Sequence, residues 1–181
     1  MRIITGSARG RRLRSLEGND VRPTTDMVKE AVFSAIQFQI EERRVLDLFA
    51  GSGQIGLEAV SRGASEAVFV DKSPASINVI KSNIAACGFE DSCRVIRSDA
   101  LSYLSSCAEM FDIVFADPPY GVYDMGEILE QAARITEKSG VIIAETSSKE
   151  QLPDLLLGGA FEVKKVYNHG KIKVTMYCHV R

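Results

Sequence analysis

Five short apolar runs recur from Arg44 onward: VLDLF (45–49), AVFV (67–70), CRVI (93–96), DIVFA (112–116) and VIIAE (141–145). Their apolar character is continuous rather than alternating, which marks strands covered on both faces and therefore a parallel sheet. The segments between them predict helices over 54–62, 74–87, 99–107, 126–137 and 149–157, the second opened by Ser73 as cap and Pro74 in the first turn. Repeated strand-helix winding of this kind predicts an α/β, Rossmann-like fold. The rhythm breaks at the end, where FEVKKVY (161–167) and KIKVTMYCHV (171–180) flank Asn168-His169-Gly170. A short glycine-containing link between two such runs reads as a hairpin, so the last strands should be antiparallel.

Ahead of the sheet, a helix is expected over about 25–40, capped by Thr24 or Thr25, with Val28, Val32, Ala35 and Ile36 on one face. Before it, RIIT (2–5) and RRLRSL (11–16) surround a glycine-containing turn and suggest a small basic hairpin. The chain thus divides into a basic arm, 1–23, and an α/β domain, 24–181.

Charge follows that division. Residues 1–22 hold six arginines against Glu17 and Asp20, a net +4, while the whole chain carries −2 and the remainder therefore −6. Guanidinium forks match phosphate oxygens and displace counterions, so Arg9, Arg11, Arg12 and Arg22 are candidate contacts to a polyanion. No apolar run approaches the ~20 residues of a membrane span, and the N-terminus lacks the apolar stretch of a signal peptide. A cytoplasmic location and no membrane partner are expected. Cys87, Cys93, Cys107 and Cys178 form no Cys-x-x-Cys pair, and His169 and His179 are the only histidines, so no metal site is expected.

The first predicted strand runs into Gly51-Ser52-Gly53-Gln54-Ile55-Gly56, a literal GxGxxG, with Asp71 at the end of the second strand. By itself this is the dinucleotide fingerprint, and a nicotinamide dehydrogenase fits it. Asp47 argues against that reading. A carboxylate four residues before the first glycine opposes a pyrophosphate by about 1 to 4 kcal/mol at ~4 Å. It favours S-adenosylmethionine, which has no phosphate and carries a sulfonium and an ammonium. Asp47, Asp71, Asp99 and Asp117 all fall at or just past the carboxyl ends of predicted strands, where open α/β sheets place ligands. Together they suggest an acidic well for a cationic nucleoside. In it Asp71 takes the ribose hydroxyls, Asp99 the adenine amine and Asp47 the methionine end.

Phe115-Ala116-Asp117-Pro118-Pro119-Tyr120 closes the fourth strand with two residues that cannot extend a ladder. A rigid loop results. If Asp117 and the Pro118 carbonyl each accept one hydrogen from an aromatic amine, the nitrogen lone pair localises and points at an electrophile. Tyr120 offers a stacking face worth roughly 1 to 3 kcal/mol per base, and positioning is the main catalytic device when the leaving group is already activated.

LDLFAGSGQIGLEAVSRGA, VFVDKSP, IRSDA and FDIVFADPPY, preceded by RPTTDMVKEAVFSAI and an arginine-rich start, together resemble the bacterial small-subunit ribosomal RNA guanine-N2 methyltransferase family. The likeness spans nearly the whole chain. It implies a seven-stranded methyltransferase fold whose last hairpin inserts an antiparallel strand, with S-adenosylmethionine as donor. The acceptor it implies is one guanine of a 16S-type RNA, met either as naked ribosomal RNA or in the assembling small subunit. Asp47, Phe49, Ala50, Gly51, Ser52, Gly53, Asp71, Lys72, Asp99 and Ala100 would then serve the cofactor. Asp117, Pro118, Pro119 and Tyr120 would serve the target amine, the arginine arm would serve RNA, and the protein is expected to act as a monomer. The Asp-Pro-Pro-Tyr quartet also occurs in adenine-N6 methyltransferases, so alone it defines a planar amine rather than guanine. A DNA adenine or protein glutamine acceptor would call for a separate recognition domain, and about 40 residues precede the core. A non-catalytic RNA-binding module would have no need of four acids.

Overall fold

The computed structural model describes residues 1–16 and 26–180. The expected helix cap at Thr24 or Thr25 and the candidate RNA contact Arg22 lie outside the described residues. The first helix, α1 (Asp26–Ala35), stops earlier than the expected 40; its Val28 and Val32, and Ile36 just past its end, are buried in the core, with Ala35 half-buried beside them.

The strands are β1 (Arg44–Leu48), β2 (Glu66–Asp71), β3 (Cys93–Arg97), β4 (Phe111–Ala116), β5 (Thr136–Ser147), β6 (Leu155–Leu156), β7 (Phe161–His169) and β8 (Ile172–His179). They form one sheet in the order β3-β2-β1-β4-β5-β8-β7-β6. The first five are parallel, and β8 inserts antiparallel between β5 and β7. Seven strands were expected and the described residues contain eight in the sheet, the extra one being the two-residue β6 at the edge. The chain winds outward from β1 to β3, then returns to lay β4 on the other side of β1. That reversal is the topological switch point, where the loops leaving β1 and β4 diverge and open a crevice.

Helices α2 (Gln54–Ser61), α3 (Pro74–Cys87), α4 (Ala100–Ser106) and α5 (Met125–Arg134) cover the two faces. Leu46, Val68, Val114 and Ile142 face α4 and α5, whereas Val45, Phe69, Phe115 and Ile143 face α1, α2 and α3. This explains the unbroken apolar runs, since both faces of each central strand are buried. The third glycine of GxGxxG serves the packing: a Cβ on Gly56 would come within 2.4 Å of the Phe69 ring.

Two predicted segments differ. The helix expected over 149–157 does not form. Pro153 interrupts it, Leu157 and Gly158 take φ of +51° and +62°, and Leu155 and Leu156 pair with Glu162 and Phe161 instead. The closing hairpin pairs His169 with Ile172, so its turn is the two residues Gly170-Lys171 rather than the expected Asn168-His169-Gly170, with Gly170 at φ +61°.

The N-terminal arm forms a hairpin reduced to a single bridge, Arg2 with Arg12. Ile3 and Leu13 are buried against Leu57 and Ile80. Its backbone is held by α2: Glu58 accepts the amides of Ile4 (2.8 Å) and Thr5 (3.0 Å), and Ser61 Oγ accepts that of Ala8 (3.0 Å). Lys29 of α1 donates to the Arg2 carbonyl at 2.8 Å and stands 3.6 Å from Glu58, both side chains fully buried.

Candidate active site

At the end of β1 the chain must turn sharply to enter α2. Phe49 takes φ +62°, and Gly51 and Gly53 follow at +56° and +77°. A non-glycine residue in that region costs on the order of 1 to 3 kcal/mol and marks a functional turn more often than chance. Two bonds hold the turn against that cost. Ala50 donates to the Val70 carbonyl at 3.0 Å, and Gly51 donates to Asp71 Oδ2 at 2.8 Å. Asp71 Oδ1 accepts the Ser73 amide, also at 2.8 Å. An ionised carboxylate has about four acceptor positions, so Asp71 retains capacity for a ligand after fixing the loop.

Opposite this turn, the segment after β4 carries Asp117, Pro118, Pro119 and Tyr120. Pro118 is buried and Tyr120 is 44% exposed. A cleft of about 450 Å³ lies between the two loops, with Phe49, Gly51 and Asp71 on one side and Asp117 to Tyr120 with Glu145 on the other. Its size lies within the range of small-molecule sites. Leu16, at the end of the described arm, borders the same cleft.

Only two of the four acids expected in a common well, Asp71 and Asp117, line this cleft. Asp47 sits within β1 rather than at its end, is 4% exposed, and accepts the Gly56 amide at 2.9 Å. It satisfies the N-terminus of α2, where the cap Gly53 has no side chain to do so, and lines a narrow pocket together with Asp117 and Glu145. This strengthens the case against a pyrophosphate, because a helix N-terminus that would bind phosphate already holds a carboxylate. Asp99 caps α4, accepting from Leu101 (3.0 Å) and Ser102 (3.3 Å), and its other oxygen accepts from the Tyr123 hydroxyl at 2.8 Å. The Tyr123 bond is the largest cause holding its carboxyl below the usual range. Its neighbours Ser98 and Ala100 line a smaller hollow with Asp71, Lys72 and Tyr123, which meets the main cleft at Phe49 and Asp71.

The remaining candidates divide similarly. Lys72 is exposed and donates to the Tyr123 hydroxyl at 3.1 Å. Ala50 and Ser52 are buried behind the loop, and the Ser52 hydroxyl turns away to the Met1 sulfur. Arg9, Arg11 and Arg12 are exposed around a second, open hollow against α3, and among the described residues no carboxylate forms an ion pair with them.

Three residues escaped the sequence reading. Tyr123 stacks edge-on against Phe49, with ring centroids 4.8 Å apart. Asn83, 1% exposed, donates to the carbonyls of Arg14 (3.0 Å) and Ser52 (2.9 Å) and accepts the Arg14 amide (2.8 Å), so one side chain clasps arm and glycine loop together. Glu145 lines the cleft beside Asp117. Its signal was present, since VIIAE ends in an acid at the edge where the neighbouring strand ends in Asp117.

Burial pushes the Asp47 carboxyl up to about 7 from 3.8, with the Gly56 amide opposing and Asp71 adding to the rise. The folded state therefore holds that proton more tightly than the unfolded chain. The contribution favours folding in full below pH 3.8 and is lost as pH climbs to about 7. Denaturant titrations of ligand-free Asp47→Asn against wild type should show the difference in stability moving in the variant's favour between pH 4 and 7, by on the order of 4 kcal/mol, then levelling. A pH-independent difference would contradict it.

The sheet order, the strained glycine turn and the paired loops at the switch point define a Rossmann-like α/β protein with its ligand cleft at the carboxyl ends of β1 and β4. A family model described as "Conserved hypothetical protein 95" matches residues 1–178. Ribosomal RNA small subunit methyltransferase D of Escherichia coli is 32% identical over 98% of this chain and 89% of its own, and YlbH of Bacillus subtilis is 36% identical over 98% of each. The solved structure of Escherichia coli yhhF superimposes with a TM-score of 0.88 at 30% identity, covering 99% of this chain and 97% of that one. The chain belongs to the family of ribosomal RNA small subunit methyltransferase D.

Proposed function

We propose that this protein methylates the exocyclic N2 amine of one guanine in small-subunit ribosomal RNA. The observation that carries the reading is the facing pair of loops: Asp71 and Gly51 on one side of a single cleft, Asp117 and Pro118 on the other. The site suits S-adenosylmethionine, because the cleft's charged lining residues are all carboxylates and the helix N-terminus below is already occupied by Asp47. When bound, that cofactor supplies a methyl group on a cationic sulfur.

Asp71 would hold it through the ribose hydroxyls, with Gly51 and Phe49 packing close. Asp117 and the Pro118 carbonyl would accept the two hydrogens of the guanine amine, withdrawing its lone pair from the ring and aiming it across the cleft. Tyr120, exposed at the rim, would stack on the base and offset part of the few kcal/mol spent in unstacking it. The exposed arginines of the arm would grip flanking phosphates.

The test uses purified protein, labelled S-adenosylmethionine and small-subunit RNA from cells lacking the enzyme, offered both naked and in assembled particles. Nucleoside digests should contain labelled N2-methylguanosine from at least one of the two forms. Label found only in N6-methyladenosine, or tight binding of NADH with none of the sulfonium compound, would overturn the proposal.

A further inference from the structure

We infer that Glu145 reads the N1–H of the target base and so sets the preference for guanine. This inference rests on the guanine-N2 reading above. β4 and β5 run parallel with Ala116 opposite Ala144 and Phe115 opposite Ile143, so the next positions along both strands are Asp117 and Glu145. Extending that register by one residue sets Asp117 beside Glu145 at an interstrand spacing of about 4.8 Å at the backbone. Both line the main cleft and also an adjoining narrow pocket whose lining includes Lys29 and Asp47. Glu145 stays half-buried because β8 flanks it on the other side, with Val174 as its register partner.

Two adjacent carboxylates form an edge that only accepts hydrogen bonds. Guanine presents a matching edge, with the N1–H donor beside the N2 amine. When Asp117 and the Pro118 carbonyl hold the amine, the next donor along the base meets the next acceptor along the sheet. Adenine presents a lone pair at N1 beside its amine, and that lone pair would face Glu145 unfavourably. The discrimination expected from one such contact is about 10- to 100-fold. Asp117 selects for an aromatic amine, and Glu145 selects which ring carries it.

2-Aminopurine separates the two contributions, because it keeps the N2 amine and replaces the N1–H with a lone pair. RNA carrying guanine or 2-aminopurine at the position mapped from the wild-type product would be compared by kcat/KM. Wild type should favour guanine at least 10-fold. Glu145→Gln, whose amide can donate to the bare N1, should narrow that preference by 10-fold or more while S-adenosylmethionine affinity stays within two-fold. Glu145→Ala should lose rate on guanine without gaining on 2-aminopurine. Equal use of both bases by the wild type, or an unchanged preference in Glu145→Gln, would overturn the assignment and leave the methyltransferase reading intact. A wild-type enzyme that modifies no guanine would overturn both.

Discussion

Asp117→Ala should lower methyl transfer at saturating cofactor by about 10²- to 10³-fold, the cost of removing one preorganised acceptor and the orientation it imposes. S-adenosylmethionine affinity should remain within a few-fold, because Asp71, Gly51 and Phe49 sit across the cleft. Asp117→Asn keeps one oxygen acceptor and should recover part of the rate. Single-turnover kinetics with excess enzyme separate this from slow product release. A variant that methylates at the wild-type rate would remove Asp117 from the chemistry, and one that loses both rate and cofactor binding would reassign it to the cofactor side.

Replacing Arg9, Arg11 and Arg12 together with alanine should weaken RNA binding and flatten its salt dependence. The slope of log affinity against log salt should fall by ~0.7 to 0.9 for each phosphate no longer neutralised, so by about 2 to 3 for all three. The fold should tolerate the change, since the arm is anchored by buried Ile3 and Leu13 and by backbone amides on Glu58 and Ser61, while these three side chains are exposed. Surface substitutions of that kind are usually within about 0.5 kcal/mol. An unaltered slope would place the RNA on another surface.

Much of the architecture was legible because each central strand is buried on both faces, which leaves short apolar runs that, recurring between helical patterns, point to a parallel sheet. The antiparallel end was legible from turn chemistry. The helix expected over 149–157 failed because the leucines of that stretch serve an edge strand, and a run that short does not distinguish the two. Candidate site residues carried by loops were readable where glycine permits a left-handed turn or proline fixes the backbone, at Gly51-Ser52-Gly53 and Asp117-Pro118-Pro119. The acids were harder. A carboxylate near a strand end can face ligand, cap a helix or support a loop, and Asp71, Asp99 and Asp47 divide among those uses through hydrogen bonds that spacing does not encode. Asn83 was invisible for a related reason, since its partners are backbone carbonyls 69 and 31 positions away.

The seating of the arm on Glu58 ties its folding to a distant element. The acid that accepts the amides of Ile4 and Thr5 lies 54 and 53 residues away, so the arm can dock only after α2 has formed. Removing Arg2, Ile4 and Thr5 would strand the buried charges of Lys29 and Glu58 without these backbone partners, so cutting into this segment is expected to damage solubility before it touches RNA affinity.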